Sequence, residues 1–209
     1  MNILARIVSL IFHPLLMATY LFLLLSATLP SALDPIQTSA HNGFILLIFL
    51  ITFVLPALNI VVFRMMGSIK SLTMYNRQER FGPFLFISAL YLIVTYFFYN
   101  NYRMGLHDTV FKLIIIIDAL VILATIITLF FKVSVHALAL WGLLGIVLPL
   151  NKIAENGQLL IPTVLIILAA GVVMSSRLKL NAHTPREIMI GSLVGFSTGQ
   201  LGILVLFLP

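Results

Sequence analysis

From Val110 to Phe131 the chain carries only two charged side chains, Lys112 and Asp118, in a run long enough to cross a membrane as a helix. Nothing else constrains the fold as strongly, because six more segments share the property. They run from about Ile3 to Leu29, Gly43 to Phe63, Pro83 to Tyr99, Val135 to Leu150, Leu159 to Met174 and Ile188 to Leu208. Each has, or nearly has, the roughly 20 residues that a helix needs to span a hydrocarbon core. The expected fold is therefore all-α: a polytopic transmembrane helix bundle of six to seven spans, forming one integral-membrane domain over residues 1–209.

Composition agrees. The chain is 61% hydrophobic and 9% charged, whereas a soluble domain is about half apolar and about a quarter charged. With no cysteine, disulfides, thiolate chemistry and cysteine metal sites are excluded. The net charge of +6 does not point to nucleic acid, because the basic residues are scattered singly between apolar runs. Loop orientation and anionic lipid head groups account for it better.

Pro14, Pro56 and Pro162 fall in or beside spans, where neighbouring helices can satisfy the carbonyls that a proline frees. The first segment is too long for a signal peptide, and His13-Pro14 interrupts it. It reads as a retained span, or as a short interfacial helix feeding one.

The connections divide into two sets. Ser31–Asn42, Asn100–Asp108 and Asn151–Gln158 are plain polar turns, while Arg64–Gly82, Lys132–His136 and Ser175–Glu187 hold most of the basic residues. Two spans separate each charged loop from the next, so all three share one membrane face with the N-terminus. That face carries nine Lys and Arg against Arg103, Lys112 and Lys152 opposite. The positive-inside rule then puts it in the cytoplasm. The count falls to six against three once Lys70, Arg77 and Arg177 are reserved for a site.

The charged loops hold the residues suited to chemistry. In the third, Ser176-Arg177 is followed by His183 and Glu187. An acid four residues after a histidine shares its helical face. It can hold one imidazole nitrogen and leave the other nucleophilic. Arg177 offers a planar fork that suits phosphate oxygens. Thr184-Pro185-Arg186-Glu187 is also a sound helix start, with a Thr cap, Pro at the first position and Glu where a capping box wants it. Lys132-Val133-Ser134-Val135-His136 opens another helix, whose free N–H groups favour an anion. The first loop adds Lys70, Arg77 and Glu79-Arg80.

These residues resemble the type 2 phosphatidic acid phosphatase superfamily, which also contains lipid pyrophosphate phosphatases and vanadium haloperoxidases. The family motifs are Lys-x6-Arg-Pro, Pro-Ser-Gly-His and Ser-Arg-x5-His-x3-Asp. Here they correspond to Lys70 through Arg77, Ser134 through His136, and Ser176-Arg177 through His183 to Glu187. Gln78 replaces the proline of the first motif, Val133 and Val135 replace the proline and glycine of the second, and Glu187 replaces the aspartate of the third. The resemblance implies a divergent bacterial member sharing that family's helical core, in the inner (cytoplasmic) membrane.

It also implies roles. His183 would attack phosphorus to form a phosphohistidine, oriented by Glu187, and His136 would protonate the departing oxygen. Lys70, Arg77, Arg177 and Ser134 would hold the phosphoryl oxygens, with no cofactor or metal. The partner would be a membrane lipid: a polyprenyl diphosphate, phosphatidylglycerophosphate or phosphatidate. The competing readings are a transporter or lipid-binding protein with Asp118 and His13 along its path, and a catalytically silent relative. Asp118 is the one acid deep within a predicted span, where carboxylates are costly and invite functional attention. A protonated or hydrogen-bonded aspartate is the plainer reading of it, as kinking or packing is for His13.

Overall fold

The computed structural model describes residues 2–70, 74, 78–154 and 157–207. The regular structure among them is helical: α1 (Asn2–Ile11), α2 (Met17–Thr28), α3 (His41–Phe49), α4 (Leu55–Met65), α5 (Gln78–Asn101), α6 (Thr109–Phe130), α7 (Val135–Ile153), α8 (Leu160–Lys179) and α9 (Pro185–Phe207). They make seven membrane-length units, because α1 with α2 and α3 with α4 each form one span. The chain is an all-α polytopic bundle, as its hydropathy requires. Large apolar side chains such as Leu4, Ile161 and Val205 stand on the outside, where lipid is the solvent.

Two spans are interrupted, each for a chemical reason. Ahead of Pro14, His13 is driven into the extended region, with φ −65° and ψ 135°. This ends α1, and a short 3₁₀ turn leads into α2. In the second span the chain widens into a π turn over Leu50–Val54, just before Pro56. Proline has no N–H for the carbonyl four residues back, which is Thr52. The Tyr91 hydroxyl donates to that carbonyl instead, at 3.2 Å.

At the centre lies α7, with 61% of its membrane-length window buried, against 22–44% for the other six. It packs along α9 through a comb of glycines that the hydropathy reading passes over. On α9, Gly191, Gly195 and Gly199 recur every fourth residue, so they lie on one helical face. A Cβ at Gly191 would stand 2.6 Å from the Ser134 carbonyl oxygen, and one at Gly199 2.5 Å from that of Gly142. A Cβ at Gly195 would collide with the Leu138 carbonyl, and one at Gly145 with that of Phe196. Small residues let the two backbones touch, which is how helices associate where lipid removes the hydrophobic drive between them. The consequence is positional: the start of α9 is held against the start of α7.

Candidate active site

The three charged loops meet at one end of the bundle. The Ser134 backbone N–H donates to the Glu187 carbonyl at 3.2 Å, and Lys132 Nζ donates to the Ala182 carbonyl at 3.1 Å. Arg80 is buried, and its Nε donates to the Met74 carbonyl at 2.8 Å. Its guanidinium also donates to the Val133 carbonyl at 3.2 Å. One side chain thus ties the first loop to the second.

The turn from α8 to α9 sets the spacing of the third loop. Asn181 takes a left-handed φ of 49°, a conformation that asparagine tolerates better than most residues. The Ala182 N–H bonds back to the Arg177 carbonyl at 3.1 Å, and the Asn181 N–H to that of Leu178 at 2.9 Å. This pair is a Schellman motif. It reverses the chain sharply enough to return His183 beside Arg177. On the far side, Thr184 Oγ1 accepts the Glu187 backbone N–H at 3.3 Å and caps α9.

The Glu187 carboxylate goes to His183 rather than closing a capping box. His183 Nδ1 donates to Glu187 Oε2 at 2.6 Å, and Lys132 Nζ lies 3.8 Å from the same oxygen. With Nδ1 committed as donor, the neutral ring carries its lone pair on Nε2. Among the described residues no hydrogen bond occupies Nε2. Burial pulls the His183 pKa down to about 4, with Arg80 and Arg177 pushing the same way and Glu187 opposing them. At neutral pH the imidazole is therefore unprotonated.

His136 is the second residue of α7, and its Nε2 meets the Ser9 carbonyl at 3.1 Å. A carbonyl only accepts, so Nε2 carries the proton. Nδ1 is then an acceptor, and it is buried without a partner among the described residues. His13 abuts this ring edge-on, with centroids 5.8 Å apart.

His13, His136 and His183 all line a cavity of about 660 Å³. Arg6, Arg80 and Arg177 join them at its polar end. The rest of the wall is largely apolar and includes Leu21, Ile87, Leu120, Leu143 and Ile146. The charge is confined to one end, which matches an amphiphile: an anionic head among the cations and a hydrocarbon tail among the spans.

The residues expected from sequence are distributed unevenly. His183, His136 and Arg177 line the cavity, and Glu187 holds His183. Ser134 is fully buried as the cap of α7, accepting the Ala137 N–H at 3.4 Å, and is not on the cavity wall. Lys70 is exposed and away from the cavity. Its N–H donates to Glu79 Oε2 at 3.3 Å, and its carbonyl accepts from Arg64. Arg77 lies outside the described residues. Sequence reading gives no site role to Arg6 or Ser9, counts Arg80 only among the basic residues of the first loop, and treats His13 as a kink or packing residue or as part of a transporter's path. The available signal is weak: Arg6, Ser9 and His13 recur at intervals of three and four, the spacing of one helical face, although the helix itself ends at Ile11.

Asp118 sits apart. It is buried between spans and accepts from Thr95 Oγ1 at 2.6 Å, the hydrogen-bonded aspartate that the plainer reading describes. It does not line the large cavity.

The chain matches no protein-family model, no curated protein and no solved structure.

Proposed function

We propose that this protein is a lipid phosphatase acting through a phosphohistidine on a lipid phosphate monoester or a polyprenyl diphosphate. It would be a divergent member of the type 2 phosphatidic acid phosphatase superfamily in a bacterial inner membrane. One observation carries the reading: His183, oriented by Glu187 with Nε2 open, shares a cavity with Arg80, Arg177 and His136 whose other walls suit a hydrocarbon chain.

The chemistry follows from the two tautomers. The His183 Nε2 lone pair attacks phosphorus, and the ester P–O bond breaks with its electrons on the leaving oxygen. Arg80 and Arg177 offset the charge on the phosphoryl oxygens, which fixed cations in a dry site do without reorganising. His136 exchanges protons at Nδ1, because Nε2–H is held by Ser9. A monoanionic phosphate ester passes its P–OH proton to Nδ1, which delivers it to the leaving oxygen. Nδ1 then takes a proton from the water that hydrolyses the phosphohistidine and passes it to the departing inorganic phosphate, which restores the neutral ring. No step needs a metal.

The test is phosphate release from short-chain lipid phosphates by purified protein, with acid-labile, base-stable radiolabel trapped on the chain. His183→Ala is expected to abolish both signals. His136→Ala should slow turnover by about 10²–10⁴-fold, as loss of a general acid–base group does. Undiminished activity in His183→Ala would overturn the mechanism.

A further inference from the structure

We propose that His13 is a third catalytic histidine, which donates a neutral hydrogen bond from Nε2–H to the phosphoryl group. This rests on the phosphatase reading for its catalytic meaning, but not for its binding geometry.

The first span breaks at His13-Pro14, and the break fixes the imidazole. His13 Nδ1 accepts the Leu15 backbone N–H at 3.3 Å, capping the 3₁₀ turn that Pro14 opens. A nitrogen that accepts cannot also hold the proton of a neutral ring, so the hydrogen sits on Nε2. Among the described residues no acceptor takes it. The ring is also held from two sides. Phe53 meets it edge-on at a centroid distance of 6.1 Å, and His136 at 5.8 Å. The oriented ring lines the polar end of the cavity with Arg80, Arg177 and His183.

Capping alone does not account for a histidine here. Asparagine, aspartate and serine are the preferred caps of a helix start. Imidazole differs in being a single rigid ring that accepts at Nδ1 and donates on its far side. The two neighbouring histidines are then complementary. His136 presents a buried acceptor at Nδ1, and His13 presents a donor. An acceptor can take the proton of a phosphate, and a donor can hold one of its oxygens. Ser9 lies in the last turn of α1 and His13 in the break that follows it, so the same half of the first span supplies both the His136 partner and the donor. The first half-helix thereby forms one wall of the phosphoryl site.

Two substitutions separate donation from capping. His13→Asp keeps a cap acceptor for Leu15 but has no N–H and repels phosphate. His13→Gln loses the cap acceptor at the Nδ1 position but carries an amide N–H about as far out as Nε2. With a short-chain lipid phosphate as substrate, His13→Asp should lose about 10²–10³-fold in kcat, the cost of removing one oxyanion donor. His13→Gln should stay within about tenfold of wild type, with the shape of its pH profile unchanged because His13 exchanges no proton. Equal turnover in His13→Asp and wild type would overturn the proposal.

Ring ¹⁵N NMR of the wild-type protein tests the binding geometry without turnover or folding of a variant. His13 should report the Nε2–H tautomer, and inorganic phosphate should shift its Nε2 resonance. A phosphate shift in a protein that releases no phosphate would support the donor and refute the phosphatase. An Nδ1–H tautomer, or a resonance indifferent to saturating phosphate, would refute the donor whatever the activity.

Discussion

The His183–Glu187 contact gives the sharpest quantitative test of the site. Its 2.6 Å hydrogen bond runs to a carboxylate that is only partly exposed. Hydrogen bonds to charged groups contribute about 1.5–3 kcal/mol. If that energy is spent holding Nε2 toward phosphorus, its loss at about 1.36 kcal/mol per decade slows turnover roughly ten- to 150-fold. Glu187→Ala should show that range. Glu187→Gln, which keeps an acceptor but not the charge, should fall at its lower end. The helix start survives both changes, because the Glu187 backbone N–H still bonds Thr184 Oγ1. Its other ion pair, with Lys132 at 3.8 Å, is half-exposed and carries little energy. The assay is kcat on a short-chain lipid phosphate, joined to a titration of the His183 ring. Glu187 opposes the lowering of the His183 pKa. Removing its charge should therefore reduce kcat while moving the titration further below its wild-type midpoint. Wild-type kcat in Glu187→Ala would refute the orienting role, and a midpoint that rises would refute the electrostatics.

Three further outcomes follow from the same geometry. In wild-type protein the His183 ring should titrate near pH 4 instead of the usual 6.5. A folded-state pKa below the unfolded value means that the unfolded chain binds more protons between those limits, so stability should fall as pH drops through that window. Ring NMR checks the midpoint and melting in detergent checks the slope; a midpoint near 6.5 contradicts the burial. Gly195→Ala should destabilise by about 1–3 kcal/mol and depress activity, because its Cβ meets the Leu138 carbonyl and parts the starts of α7 and α9. Gly171→Ala, with open space around it, is the control and should melt like wild type. Asp118→Asn should leave turnover intact and the protein folded, since the amide oxygen can accept the same Thr95 hydroxyl. Substrate flux that fails in this variant while phosphate release is absent would favour a transporter.

The spans were legible because their signal is a prohibition. Few charges can enter hydrocarbon, so a run such as Val110–Phe131 admits almost one structure. Breaks within spans carry only a local signal. Pro14 marks the first one plainly, but Pro56 does not announce the π turn that precedes it. The glycine comb was visible as an every-fourth repeat, yet hydropathy ignores it because glycine is neither strongly apolar nor polar. In the site, the pairing of His183 with Glu187 was readable because one helix turn fixes it. The choice between Lys70 and Arg80 was not. Both are cations in one loop, and only the fold sends Arg80 inward to the Met74 and Val133 carbonyls while leaving Lys70 outside. His13 was doubly hidden, since the kink that explains it in sequence is also what aims it.

These positions share a dependence on backbone termination. Asn181 ends α8 so that His183 returns over Arg177, His13 ends α1 and caps the next turn, and Ser134 caps α7 ahead of His136. Each histidine thus sits within two residues of a helix boundary, where a side chain can reach inward while the backbone is satisfied by a cap. Within the spans, lipid or a neighbouring helix takes most of these directions. The catalytic candidates therefore cluster at one end of the bundle, and the apolar arm of the cavity runs from that end between the spans. On the proposed reading, a lipid phosphate would bring its phosphate to the interface and leave its chain in hydrocarbon, the arrangement it already has in a bilayer.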